Sequence, residues 1–92
     1  MRLFITEQAL DDIDRLEAWL FERGLSFANG LGACLVEAIE TLMTLPERGP
    51  TSATGRYREV YVPFHANTYV IQYRARSDRL TVARIFHSLE DR

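Results

Sequence analysis

Few residues in this chain are of a type that does chemistry. The closing stretch "LTVARIFHSLEDR", residues 80–92, alternates like a β-strand, reaches His87 and then dissolves into charge. An imidazole there has three readings: the general base of a small nuclease, the polar end of a structural strand, or part of a surface that grips a partner. The second histidine, His65, falls in a turn-like "HAN" between strands. Cys34, the only cysteine, falls on an apolar helical stripe and reads as a small core hydrophobe. It can form no intrachain disulfide. Two separated histidines and one cysteine offer no metal-ligand spacing. Nor is there a glycine-rich phosphate loop or a nucleophile elbow. The expectation is therefore no metal and no cofactor. All eleven basic residues are arginine, which removes lysine from every catalytic scheme. Arginine pairs in bidentate fashion with carboxylate and phosphate, so its placement carries information.

The elements that must position these groups are readable from periodicity. "RLFIT", residues 2–6, is a short β-prone run. Thr6 offers an N-cap and Glu7 puts negative charge in a first helical turn. Leu10, Ile13, Leu16, Leu20 and Phe21 follow with helical spacing, while Asp11, Asp12, Asp14, Glu17 and Glu22 fall largely between them. Arg23-Gly24 is a helix stop. Ser26 is the expected cap of a second helix, with Ala28, Leu31, Leu35, Ala38, Ile39, Leu42 and Leu45 as its stripe and Pro46 as its end. Gly30 and Gly32, costly in a helix, imply close packing on a neighbour. The short link predicts an αα-hairpin. From residue 56 the period becomes two: "RYREVYVPF", "TYVIQYRAR" and "LTVARIFH" read as three strands in an antiparallel meander. Pro63 marks an edge or bulge. The predicted fold is α+β, in the order β-α-α-β-β-β, with the helical hairpin on a mostly antiparallel four-stranded sheet. Residues 1–92 are too few for a second core, so one domain is expected.

Charge divides the chain. Residues 1–47 carry three arginines against nine acids; residues 48–92 carry eight arginines against four. On a central strand, Gln72, Arg74 and Arg76 share the side opposite Tyr69, Ile71 and Tyr73. The Tyr/Ile side is expected to face the helices and the arginine side to stay exposed. Glu59 is expected to pair across strands with Arg74 or Arg76. No window approaches the ~18 apolar residues of a membrane span, and the N-terminus lacks the form of a signal peptide. The simplest expectation is a cytoplasmic protein that does not engage membranes.

With those landmarks the chain resembles the RelE/ParE superfamily of toxins from type II toxin–antitoxin modules. The matching features run in order: "A-L-x-D-I-x-x-L" at Ala9, Leu10, Asp12, Ile13 and Leu16; "L-x-x-L-P-x-x-G" at Leu42, Leu45, Pro46 and Gly49; "R-x-x-Y-V-P-F" from Arg58 to Phe64; "Y-V-I-Q-Y-R" from Tyr69 to Arg74; and "V-A-R-I-F-H" from Val82 to His87. They span about residues 3–90. The resemblance implies one of two activities. RelE-like members cleave mRNA on the ribosome; ParE-like members poison DNA gyrase without nuclease chemistry. Both are neutralised by an antitoxin whose extended C-terminal segment wraps the toxin.

Metal-free RNA cleavage needs a base for the 2′-hydroxyl, an acid for the leaving oxygen and cations for the phosphorane charge. The resemblance offers Glu59, Arg84 and His87 for those roles. Against it, the lysines of the RelE-like set are missing. Thr68, Tyr69 and Val70 stand where the family's central-strand arginine is expected, and Ser88 follows the histidine in place of Tyr or Arg. The leading expectation is thus a ParE-like, non-catalytic gyrase inhibitor, of the kind associated with plasmid stabilisation. A RelE-like endonuclease, or a relative that only binds its antitoxin, is the alternative. Partners implied are a ParD-like or other small antitoxin, in a hetero-oligomer, and gyrase; no sequence-specific nucleic-acid binding is expected. Candidate partner contacts are Leu20, Phe21 and Phe27 near the hairpin tip and Arg58, Arg74 and Arg76 on the sheet. A third group lies toward the C-terminus, where Arg84 and Arg92 supply charge and Phe86 and Leu89 apolar anchors.

Overall fold

A computed structural model describes residues 1–90; Arg92 and its neighbour lie outside the described residues. Strand β1 (Arg2–Ile5) leads into helix α1 (Glu7–Glu22) and helix α2 (Gly30–Thr44), followed by β2 (Arg58–Phe64), β3 (Asn67–Ala75) and β4 (Arg79–His87). The sheet order is β1-β4-β3-β2. β1 runs parallel to β4; the other two pairings are antiparallel. The α+β order β-α-α-β-β-β expected from periodicity is the fold observed. Among the described residues, no helix is long and apolar enough to cross a membrane.

Thr6 starts α1 as expected. Its hydroxyl accepts from Ala9 N at 3.1 Å and donates to Ala83 O of β4 at 2.7 Å, so one side chain caps the helix and ties it to the sheet. At the other end Gly24 takes φ +70°, a left-handed conformation open to glycine at no steric cost. The second helix departs from expectation. It begins at Gly30, not at Ser26, and residues 25–31 form successive tight turns. The physical cause is Phe27: its ring stacks on His65 at 3.8 Å and meets Phe64 edge-on at 5.7 Å, while Ala28 is buried. Those contacts hold the link against the β2–β3 turn. One amide of the first α2 turn then takes its acceptor from the other helix. Glu17 Oε2 accepts from Gly32 N at 2.8 Å, in space that a Cβ at Gly32 would invade.

The helices cover one sheet face. Leu16, Leu20, Leu35 and Ile39 pack against Tyr69, Ile71, Tyr73 and Ile85. Leu20 belongs to this core with no exposed surface, so its expected role as a partner contact is corrected: it is structural. The arginine side of β3 faces away, with Arg74 exposed, but that outer face is not purely polar. Val70 lies buried between its strand partners Tyr61 and Phe86. Pro63 lies on β2, an edge strand, where its missing N–H costs no ladder bond.

The "L-P-x-x-G" motif has a packing reason. Gly49 N donates to the buried Tyr73 hydroxyl at 2.9 Å, and Arg58 donates to Gly49 O at 2.8 Å. A Cβ on Gly49 would stand 2.6 Å from the Glu59 carbonyl oxygen. Arg58, considered for partner contact, is thereby engaged in clipping the loop after α2 to the sheet.

Candidate functional site

The polar centre of the molecule is where α1 meets the end of β4. β1 is only four residues long, so β4 runs past it and its edge from Ala83 onward lacks a strand partner. Side chains fill that gap. Asp12, 3% exposed, accepts from Ile85 N at 2.9 Å. It also accepts from Arg84 Nε at 2.7 Å and Nη2 at 3.0 Å, and from Arg15 Nη2 at 3.3 Å. A β-bulge makes this reach possible. Gln72 pairs with Arg84 but Tyr73 pairs with Val82, leaving Ala83 as the extra residue and turning Arg84 toward the helix. Burial alone would push the Asp12 carboxyl up. The hydrogen bonds from Arg84, Ile85 N and Arg15 outweigh it and hold the group below its ordinary value. Asp12 in turn raises Arg84.

Arg15 continues the network to the chain end, donating to Glu90 Oε2 at 2.6 Å. Glu90 Oε1 accepts from His87 N at 2.8 Å, which closes a turn over the end of β4. Within that turn Leu89 N donates to His87 Nδ1 at 3.1 Å. With Nδ1 accepting, the ring proton of the neutral imidazole sits on Nε2, which faces Asn67 Oδ1 at 3.1 Å. The ring also lies edge-on to Tyr69 at 5.3 Å and near Trp19 at 6.3 Å. These groups border a groove of about 640 Å³ whose floor is Leu16, Trp19 and Tyr69. The Arg23 guanidinium lies over the Trp19 ring, 3.5 Å from its centroid. Leu89, 88% exposed, stands at the groove's lip and does not cap the core.

The sheet register separates the residues considered for catalysis. Glu59, Gln72 and Arg84 stand in one register row across three strands, with Glu59 and Gln72 on the face away from the helices and Arg84 reaching round the strand edge to Asp12. His87 pairs with Tyr69, three residues along β3 and on the helical face, so roughly 10 Å and the thickness of the sheet lie between the histidine row and Glu59. The residue opposite Glu59 is Gln72, whose Nε2 donates to Glu59 Oε2 at 2.9 Å. Glu59 and His87 therefore do not converge on one substrate atom, and Arg84 spends its guanidinium on Asp12. Among the described residues no group of three His, Cys, Asp or Glu side chains is placed to hold a metal ion. His65, with φ 55°, is a turn residue stacked on Phe27.

Of the apolar contacts considered, Phe21 is 68% exposed, Phe27 is half-buried against His65, and Phe86 is half-buried beneath the Arg84 guanidinium. Arg76 is exposed in the β3–β4 turn, and Arg74 lies over Tyr57. The sequence reading missed Asp12, Arg15, Trp19, Asn67 and Glu90. Asp12 had a detectable signal: it stands three residues after Ala9 and four before Leu16, on the stripe that faces the core.

Comparison with known proteins places this arrangement in a wider set. A family model described as the ParE toxin of the type II toxin–antitoxin system, parDE, matches residues 3–92. Two proteins of Caulobacter vibrioides are similar in sequence. Toxin RelE1 is 38% identical over 90 residues, covering 98% of this chain and 96% of its own. Toxin RelE3 is 36% identical over 85 residues, covering 92% and 91%. A solved structure described as a chromosomal ParDE TA system from P. aeruginosa superposes with a TM-score of 0.74 over 95% of each chain; its 19% identity speaks for the fold alone.

Proposed function

The chain belongs to the ParE toxin family of type II toxin–antitoxin systems, and on that premise we propose that it acts by binding a protein target, DNA gyrase, and not by cutting RNA. One observation carries the reading: both ring nitrogens of His87 are engaged, Nδ1 by the Leu89 amide and Nε2 by Asn67. A general base needs a free lone pair aimed at its proton. Here the only lone pair of the imidazole is spent on the turn after β4, and Arg84, the arginine of the candidate catalytic set, is spent on Asp12. In this reading a ParD-like antitoxin in the cytoplasm neutralises the toxin within a hetero-oligomer. Its extended segment lies along the hairpin by Phe21 and Phe27 and across the sheet by Arg74 and Arg76. A wrapping segment of this kind buries more than the ~1,600 Å² of a standard interface. Phe86, Leu89 and the chain end are the groups assigned to the target.

The names of the two Caulobacter relatives favour a second reading, a RelE-like ribosome-dependent endonuclease using Glu59, Arg84 and His87. One experiment separates the two. The purified protein and its His87→Ala variant are assayed for gyrase supercoiling and for mRNA cleavage during cell-free translation. The expected result is gyrase inhibition retained by the variant and translation untouched. Cleavage of mRNA that falls by ~10²-fold or more in a variant with unchanged melting refutes the proposal.

A further inference from the structure

Strand direction gathers arginine at one end of the sheet. β1, β4 and β2 begin there, and β3 ends there. Arg2 opens β1, and its register partner Arg79 opens β4. Arg74 is the penultimate residue of β3, and Arg76 follows its end with its amide bonded to Arg79 O at 2.8 Å. The opposite end carries other chemistry. There β3 begins at Asn67 and β4 ends at His87, beside the exposed apolar side chains of Trp19 and Leu89 and the acids Glu22 and Glu90.

All four arginines are exposed, and three lie over rings on the face away from the helices. Arg2 and Arg79 cover Phe4 at 5.1 and 5.5 Å from its centroid, and Arg74 covers Tyr57 at 5.0 Å. Stacking of this kind orders a guanidinium while leaving its N–H groups free to donate outward. Carboxylates are sparse beside the row. Asp78 pairs with Arg79 at 3.0 Å with both side chains exposed, a tie weak enough to be exchanged for a phosphate. Glu59 stands further along the same face, engaged by Gln72. Six acids belong to α1 and two to α2, and those helices cover the other face. They lie roughly 10 Å or more from the row, a Debye length at 0.1 M salt. The chain's net charge of −2 therefore does not describe what this end presents.

We infer that this arginine row seats the phosphate backbone of duplex DNA, the DNA that gyrase itself holds. The inference rests on the gyrase reading above and adds to it a second contact. From β1 to β3 the row spans about 10 Å at ~4.8 Å per strand, the rise of about three nucleotides along one DNA strand. Guanidinium forks match phosphate oxygens in bidentate fashion, and such contacts hold a duplex without reading its bases. A single strand is the poorer occupant. Base stacking needs an open ring, and at the row both Phe4 and Tyr57 lie under guanidinium groups. An acidic protein segment is poorer too. The core of a protein interface is depleted in charge and anchored by apolar groups, and Trp19 and Leu89 stand at the other end. The two ends thus divide the work, apolar groups meeting gyrase and arginine meeting its DNA. An antitoxin that covers Arg74 and Arg76 removes the DNA contact as it binds.

The test follows the anisotropy of a labelled duplex of about 20 base pairs with three full-length proteins: the natural chain, Arg2→Gln/Arg76→Gln, and Arg23→Gln, which removes a charge at the other end. For three to four phosphate contacts, raising salt from about 50 to 200 mM should weaken natural binding by roughly 40- to 150-fold. The double variant should melt as the natural chain does, since both side chains are exposed. It should bind at least ~10-fold more weakly and lose about 2 from the log–log salt slope. Arg23→Gln should bind like the natural chain. Purified gyrase supplies the second arm. The natural chain should bind it at least ~10-fold more tightly with a duplex of about 150 base pairs than without, and the double variant equally in both cases. Duplex binding that neither salt nor the double variant weakens, or no gain from DNA on gyrase, overturns the seat and leaves the gyrase reading standing. Duplex binding with no affinity for gyrase overturns the gyrase reading while the phosphate seat stands. An RNA of about 20 nucleotides bound more tightly than the duplex replaces it with a single strand and sides with the endonuclease reading. Polyglutamate of that length bound more tightly makes the row a protein contact instead.

Discussion

Replacing Asp12 by alanine tests the polar centre most directly. The carboxylate is 4% exposed and receives four donors, of which Ile85 N is the one with no other acceptor within reach of its strand edge. Leaving that amide buried and unpaired costs about 1–3 kcal/mol. Breaking a buried ion pair by removing one member costs about 3–5 kcal/mol when the survivor cannot reach water. Arg84 can reach it, since its side chain is 38% exposed, and Arg15 is more open still at 43%. The ionic part therefore shrinks toward surface values, and the expected total is about 2–4 kcal/mol. At about 4–8 °C per kcal/mol for a chain of this size, Asp12→Ala should lower the melting temperature by roughly 10–25 °C.

The pH dependence follows from the same geometry. Burial opposes ionisation of Asp12, but its hydrogen bonds win and the folded value lies below the unfolded one, about 3.9. The stabilisation is complete above that unfolded value and is lost as pH falls through the lower folded one. Acid melting of the natural protein should thus show a decline below about pH 4 that Asp12→Asn lacks. An alanine variant that melts within 4 °C of the natural protein, or an asparagine variant with the same acid decline, would refute the assignment of Asp12 as the seal of the β4 edge.

Other outcomes follow from single contacts. Gly49→Ala should destabilise by more than about 2 kcal/mol, read as a fall in melting temperature, because the added Cβ meets a backbone carbonyl and displaces the Tyr73 hydroxyl. Leu89→Ala should leave melting unchanged, since the side chain is exposed at the groove's lip, and on the proposed reading it should lower gyrase inhibition; Glu90→Gln should cost up to about 1 kcal/mol through its partly exposed tie to Arg15. Tyr69 has its phenol raised by burial and by Glu90, so stability is full below the ordinary tyrosine value near 10 and falls as pH rises through the higher folded one. Tyr69→Phe should flatten the alkaline limb of a melting-versus-pH curve.

The element order was legible because period does not depend on tertiary context. Thr6, Gly24 and Pro46 punctuate the helices, and the switch to alternation near residue 56 marks the sheet. What misled was local chemistry read alone. Ser26 is a good cap by type, yet Phe27 and Ala28 are drawn into contacts that forbid a helix there. Leu20 and Phe21 are equally apolar neighbours, but one is buried in the core and the other faces solvent. Asp12 was grouped with the solvated acids although its spacing sets it on the core face; a carboxylate there is stable only because a bulge at Ala83 turns Arg84 back to meet it. No sequence period announces a bulge.

The same logic separates residues that hold the fold from those left to bind. In a small sheet with a four-residue first strand, the longer neighbour needs its edge covered, and the chain uses its most reactive side chains to do so: Asp12, Arg15, Arg84, Glu90 and, through the turn, His87. Both ring nitrogens of His87 are engaged, so proton transfer through it would first have to release the Leu89 amide or Asn67. The residues free of that duty are of another kind. Phe21, Tyr61 and Leu89 are apolar and exposed, and Arg2, Arg74 and Arg76 stand at the sheet's rim. Such a surface is suited to recognition, where apolar anchors supply affinity and arginine supplies orientation.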